Sequence, residues 1–472
     1  MKIKDLILIA CLLLPTMAVA GIPDFPWMKS VGARCTPQNT QIFRVNNYGA
    51  KGDGEMLCTS SIQHAIDACS QSGGGTVTFA PGIYQTGSIY LKNNVTLCIP
   101  KGTMLIGSEK LSDYPLIETR AAGIEMKWPS AIINVIGQKN VMLTGDGVIH
   151  ARGKVFWNKY REMRKEYDPK KLRWVVDYDC ARPQSVLIQN SEDVTVKGLV
   201  FYQSGFWTIH ILYSQYVSVD GVTIDNNIGG TGPSTDGIDI DSSSKILVEN
   251  SYVNCNDDNF CLKSGRDADG LRVNIPCEYV VIRNCKAGHG DGLFTCGSET
   301  SGGIRHVVAY NLEGDSTKYG LRFKSTITRG GTIEDITISH VVMKNMKIPI
   351  VVDLNWLPTY NQNKLPDGYT MSNIPAHWKK LLQQVAPEQG MPKFKNITFS
   401  DITATGCLQC IKVEGIKAST IDGFKLDNVH LEGKDSGSIK YANDWDVTNC
   451  SIKAQNASKV KITNTKNINW QE

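Results

Sequence analysis

The residues with the most chemistry in this chain lie close together between positions 234 and 259. They read Ser234-Thr235-Asp236-Gly237-Ile238-Asp239-Ile240-Asp241 and then Asn256-Asp257-Asp258-Asn259. From Asp236 to Asp257 is 21 residues, about one coil of a strand solenoid, whose stacked strands lie ~4.8 Å apart. Carboxylates held that close push one proton affinity up, so an acid and a base coexist at one pH. Hydrolysis of a glycosidic bond needs that combination, with an acid for the leaving oxygen and a carboxylate for the water. The same segment also fits a Ca²⁺ site or solvated Asp-rich turns. His289, between Gly288 and Gly290, follows 31 residues after Asp258, and Arg322 comes 33 after that. Arg322 and Lys324 share one face of an extended strand. Together they suit a planar carboxylate clamp, or an ion-pair network with the aspartates.

A repeat is needed to bring these residues together, and the chain has one. Short β-branched segments ending in a turn residue recur: Asp193-Val-Thr-Val-Lys-Gly, Tyr216-Val-Ser-Val-Asp-Gly, Lys245-Ile-Leu-Val-Glu-Asn, Tyr279-Val-Val-Ile-Arg-Asn and onward. Aligning Val194, Val217, Ile246, Val280, Val307 and Ile336 gives intervals of 23, 29, 34, 27 and 29 residues. Val95 to Val141 is 46, read as twice 23. A noisy period of that size, without intervening helices, implies a solenoid of parallel strands. The fold expected is all-β, a right-handed parallel β-helix, the hand of nearly all parallel crossovers. Residues 59–72 read as a helix capping its N-terminal end. Residues 154–181 and 355–393 read as loop insertions shaping a groove, the second with a short helix around 376–385.

Composition narrows the rest. With 472 residues, 41% hydrophobic and a net charge of +4, the chain is not disordered. It has no dense basic stripe, so nucleic acid is not an expected partner. Beyond residue 20 no apolar run reaches the ~18 residues of a membrane span. Lys2, Lys4, the apolar run Leu6–Leu14 and Ala18-Val19-Ala20 read as a signal peptide, residues 1–20. The mature chain, 21–472, is then a single domain, exported to the periplasm or outside the cell and acting as a monomer. Thirteen of the 14 cysteines remain in it. Cys407-Leu-Gln-Cys410 has no second ligand pair to complete a metal site, so a local disulfide or two buried thiols is expected. Neither cofactor nor metal is called for.

The ordered set Thr235-Asp236-Gly237, Asp257-Asp258, Gly288-His289-Gly290 and Arg322-Phe323-Lys324 resembles glycoside hydrolase family 28, the polygalacturonase-type pectin hydrolases. Asn47-Tyr-Gly-Ala-Lys-Gly-Asp-Gly, Gly73-Gly-Gly-Thr-Val-Thr-Phe-Ala-Pro-Gly and Gly205-Phe-Trp-Thr-Ile-His210 extend the resemblance over most of the chain. It implies metal-free, inverting hydrolysis of a galacturonic acid-containing backbone. Asp258 would be the general acid, with Asp236 and Asp257 holding and deprotonating the water. His289 would tune the acid or bind sugar, while Arg322 and Lys324 hold the substrate carboxylate. The chain departs from the pattern at Ser234 and in two extra residues after Gly-His-Gly. Counted back from Gly297-Ser298, Asp291 rather than His289 meets the family's His position. His289 is the expected occupant, and rhamnogalacturonan hydrolysis is the alternative within the family. The two long insertions favour exo action. Outside the family, the alternatives are a Ca²⁺-dependent pectate lyase and a non-catalytic polysaccharide-binding β-helix.

Overall fold

The computed structural model describes residues 21–361, 363–468 and 470. The signal-peptide reading of 1–20 lies outside them. The aliphatic positions aligned by the repeat form one continuous ladder of parallel pairs. Val141 pairs with Val194, and the ladder runs on through Val217, Ile246, Val280, Val307, Ile336 and Ile397. All eight are at most 1% exposed. Each coil buries the same small set of β-branched side chains against the coil before it, so one stacked aliphatic core runs along the axis. The result is a right-handed parallel β-helix.

One interval is corrected. Leu97 pairs directly with Leu143, so the 46-residue separation is a single coil and not two of 23. An antiparallel hairpin, Leu116–Ala121 with Ile124–Pro129, takes up the extra length. It is anchored to the solenoid by Arg120, whose guanidinium donates to Asp241 at 2.7 Å with both side chains fully buried.

The coils turn at left-handed positions, and this is why each segment ends in Gly or Asn. Asn250, Asn284 and Asn311 each sit at φ +53°, where Asn is tolerated and most side chains are strained. Their amides stack: Asn311 donates to Asn284 at 3.1 Å and Asn284 to Asn250 at 3.4 Å. Replacing the middle rung, Asn284→Ala, is expected to cost about 1–2 kcal/mol, combining αL strain with lost hydrogen bonds. Denaturant unfolding measures it, and an unchanged midpoint would count against the ladder.

The helix Thr59–Gln71 covers the first coils through Ile62, Ala65, Ile66 and Cys69, an i, i+3, i+4, i+7 stripe with no exposure. The insertion 154–181 is largely helical rather than a loop, spanning Lys154–Tyr167 and Val176–Asp179. The second insertion carries Ala376–Leu381, shorter than the helix expected there. Both insertions meet the hairpin in a second apolar core containing Trp128, Trp174, Phe206, Trp207 and Trp378. The thirteen described cysteines are free thiols, Cys407 and Cys410 among them as buried thiols.

Candidate active site

One sheet of the solenoid carries the polar cluster. Its successive strands are Val186–Gln189, Ile209–Leu212, Ile238–Asp241, Asp258–Lys263, Gly292–Cys296, Tyr319–Lys324 and Ile348–Asp353. Asp239 pairs with Cys261, an offset of 22, so Asp236 stands over Asp258 rather than over Asp257. The Gly237 N–H donates to the Asp258 carbonyl at 2.9 Å. A Cβ on Gly237 would lie 2.5 Å from the Asn259 carbonyl oxygen, so only glycine permits that approach. Residues 256–257 form a bend, which lets the adjacent Asp257 and Asp258 serve the same site.

Asp258 is the centre. Its Oδ1 accepts from Arg322 Nη1 at 2.9 Å and from the Thr295 hydroxyl at 2.8 Å. Its Oδ2 accepts from Lys324 Nζ at 2.7 Å. Asp258 is fully buried, Asp236 2% exposed, and Arg322 and Lys324 5% each. One oxygen each from Asp236 and Asp258 and the Cys261 sulfur lie within 4.8 Å of one another. The Asp257 carboxylate accepts the Asp258 N–H at 3.1 Å. The structure therefore brings together Asp236, Asp257, Asp258, Arg322 and Lys324.

The electrostatics divide the three aspartates. Burial alone would raise Asp258, but Lys324, Arg322 and Lys263 outweigh it and hold the carboxyl below the usual carboxylate range. Burial, then the negative charge of Asp239, pushes Asp236 well above that range. Burial, then Asp236 and Asp258, does the same to Asp257. Without substrate, the two cations favour the ionised form of Asp258, whereas burial favours the protonated form of its neighbours.

His289 is not brought into the cluster. It is exposed, and its backbone N–H and ring Nδ1 both face Asn254 Oδ1, at 2.8 and 3.3 Å. The reason lies in the chain path. Strand Cys277–Ala287 stays paired with Tyr252 and Val253 as far as Ala287, and the Gly288 N–H still bonds the Val253 carbonyl. His289 thus falls on the corner, and the chain reaches the site sheet only at Asp291. The Asp291 N–H donates to the Asp257 carbonyl at 2.7 Å, and its Oδ2 lies 3.5 Å from Arg322 Nη1. His289→Ala is expected to change kcat/KM less than about threefold, the effect of a surface polar group. A larger loss in steady-state kinetics would place the imidazole in the reaction after all.

Three polar residues escaped the sequence reading: Thr295, Lys263 and Glu299. Lys263 is buried, with Nζ 3.2 Å from Glu299, 3.6 Å from Asp236 and 3.6 Å from Asp239. It also sits over the Trp207 ring at 4.7 Å. Its signal was a lysine inside the buried run Asn259-Phe-Cys-Leu-Lys263, since a charge there requires partners. Lys324 lies over Trp356 at 4.7 Å, and Trp356 packs edge-on with Tyr360 at 5.7 Å. His210 is fully buried and hydrogen-bonded to Gln184 at 3.0 Å.

Asp236, Asp258 and Cys261 have donor atoms close enough for a cation. The ammonium groups of Lys324 and Lys263 already occupy the two carboxylates, however, and burial keeps the Cys261 thiol protonated. A charge-compensated, thiol-containing set of this kind does not fit Ca²⁺, which takes six to eight oxygens. The arrangement suits proton transfer to and from a bound sugar.

Comparison with known proteins follows the same line. The family model for glycosyl hydrolases family 28 matches residues 94–378. The chain is 28% identical to a probable polygalacturonase of Vitis vinifera, over 82% of this chain and 74% of that one. It is 26% identical to an exo-poly-alpha-D-galacturonosidase of Dickeya chrysanthemi, over 91% and 74%. Among solved structures, a hyperthermoactive exopolygalacturonase from Thermotoga maritima superposes with a TM-score of 0.71 at 25% identity, covering 93% of this chain and 94% of that one.

Proposed function

This chain belongs to glycosyl hydrolases family 28 and is a glycoside hydrolase, and from that premise we propose that it cleaves the galacturonic acid-containing backbone of pectin as an exo-acting, inverting polygalacturonase. The observation that carries this reading is Asp258 held at 2.7 and 2.9 Å by Lys324 and Arg322, with Asp236 across from it. A uronate entering the site offers those cations a competing carboxylate. As it takes them, Asp258 loses what holds its proton affinity down and accepts a proton from the neighbouring pair. Asp258 then protonates the glycosidic oxygen as the C–O bond breaks. Asp236 and Asp257 take a proton from the attacking water, which adds to the anomeric carbon from the opposite side. One water is consumed, and the proton left on the pair resets the cycle.

The nearest oxygens of Asp236 and Asp258 lie within 4.8 Å, short of the ~6.5–9.5 Å of a typical inverting pair. An inverting course therefore needs the water beside the pair, shared by Asp236 and Asp257. Proton NMR on an α-linked oligogalacturonide tests it: β-anomer forming first supports inversion, and α-anomer first overturns it.

Exo action is supported by the way the insertions meet. Arg173 from the first lies over the Tyr360 ring of the second at 4.9 Å, and Trp174 packs edge-on to Trp378 at 5.6 Å. We infer that the insertions, joined in this way, close one end of the groove over the site sheet. Digestion of polygalacturonic acid with excess chelator should release saturated galacturonic acid alone from the first minutes. Mixed oligomers would overturn exo action, unsaturated products the hydrolase reading, and no products at all the choice of backbone. Export through residues 1–20, to the periplasm or beyond, completes the proposal and puts the enzyme where its polymer is.

A further inference from the structure

Among the described residues, the cations facing the reaction centre, Lys263, Arg322 and Lys324, are each matched by a carboxylate of this chain. Lys324 is matched by Asp258, and Lys263 by Glu299 and the Asp236–Asp239 pair. Arg322 has two anionic partners, Asp258 at 2.9 Å and Asp291 at 3.5 Å, both on Nη1. They differ in position. Asp258 is fully buried, whereas the Asp291 side chain is 31% exposed and also faces Lys318 Nζ at 3.2 Å. Asp291 therefore borders the open side of the guanidinium, where a sugar on Arg322 would sit. Its place is set by the backbone, because its N–H and C=O are tied to Asp257 and Tyr319 in the adjacent coils, at 2.7 and 3.0 Å.

We propose that Asp291 is a specificity-determining residue: a built-in competitor for Arg322 that weakens the hold on a free uronate and favours a backbone whose residue at that subsite carries no charge. This rests on the hydrolase reading above and deepens it. A free carboxylate arriving at Arg322 displaces Asp258 but not Asp291, so two anions crowd one guanidinium. Like charges juxtaposed in a half-buried site penalise the charged ligand. An uncharged residue meets no such penalty, and as it enters Arg322 passes from Asp258 to Asp291, which releases Asp258 to take up the proton it must donate. The missing charge has two sources, a carboxyl capped as an ester or a neutral sugar in the backbone.

The test is a ratio. Wild type and Asp291→Asn are compared on three substrates of equal length: an oligogalacturonide, its methyl ester, and an oligosaccharide alternating galacturonate with rhamnose. Asparagine keeps the shape and removes the charge. Asp291→Asn should raise kcat/KM for the free oligogalacturonide relative to the other two substrates by about tenfold, with Asp291→His moving the same way. Preference for the ester or for the alternating oligosaccharide in the wild type identifies the source of the missing charge. A purely structural role would lower all three substrates together and leave the ratio unchanged, which overturns the proposal. A ratio moving the other way overturns it too. Wild type inactive on all three would instead defeat the hydrolase reading, so the two failures are distinguishable.

Discussion

Asp258→Asn should lower kcat on polygalacturonic acid by about 10²–10⁴-fold, the usual contribution of a positioned general acid, while binding oligogalacturonides at least as tightly as the wild type. The two halves have one cause. The carboxamide has no proton to give to the leaving oxygen, so chemistry stops. It also withdraws the anion that Lys324 and Arg322 hold at 2.7 and 2.9 Å. Two buried cations left without that partner are costly, and a substrate carboxylate relieves them. The variant should therefore be less stable alone and gain more Tm than the wild type when galacturonate oligomers are added. Reducing-end assays and thermal melts with and without ligand measure both halves. Retention of activity within tenfold would remove Asp258 from the acid's role. A dead variant that no longer binds would mean the cations do not receive the substrate.

Lys263→Met should destabilise the fold by about 3–5 kcal/mol at neutral pH, the cost of breaking a buried ion-pair network from one side. The side chain is of similar length and apolar, so packing against Trp207 survives and the charge alone is removed. Asp239 shows why the cost is large. Its two oxygens have no hydrogen-bond partner among the described residues, and its compensation is the Lys263 ammonium at 3.6 Å. Burial already pushes Asp239 and Asp236 well above the usual carboxylate range. A carboxyl with a raised folded value favours the folded state at low pH and loses that contribution as pH rises through it. Removing Lys263 raises both further, so the deficit should be largest near neutrality and shrink on acidification. Denaturant unfolding at about pH 5 and pH 8 decides it. An equal deficit at both would mean packing rather than charge, and a deficit below about 1 kcal/mol would mean that Lys263 is not the hub.

The solenoid was legible because its information is periodic and local. Val194, Val217, Ile246, Val280, Val307 and Ile336 aligned by counting are the residues that pair in register. Parallel stacking repeats one aliphatic position per coil and one left-handed turn residue after it. The Val95–Val141 interval misled for the same reason: an inserted hairpin adds length without adding a coil, and a count cannot tell the two apart.

The site was legible in part, and its limits are physical. The Asp236/Asp257-Asp258 spacing and the i, i+2 relation of Arg322 and Lys324 follow from strand geometry, so which residues share the sheet was determined by the sequence alone. What each side chain touches was not. Arg322 and Lys324 read first as a substrate clamp, with an ion-pair network as the alternative, and the fold puts both on Asp258, two coils away. Gly288-His289-Gly290 has the expected motif, but a corner between two faces turns His289 outward and presents Asp291 to Arg322. Lys263 and Glu299 lie 36 residues apart and meet only because consecutive coils stack. Sequence period specifies register along the axis. Which charge neutralises which depends on how the chain rounds each corner, and the tertiary structure decides that.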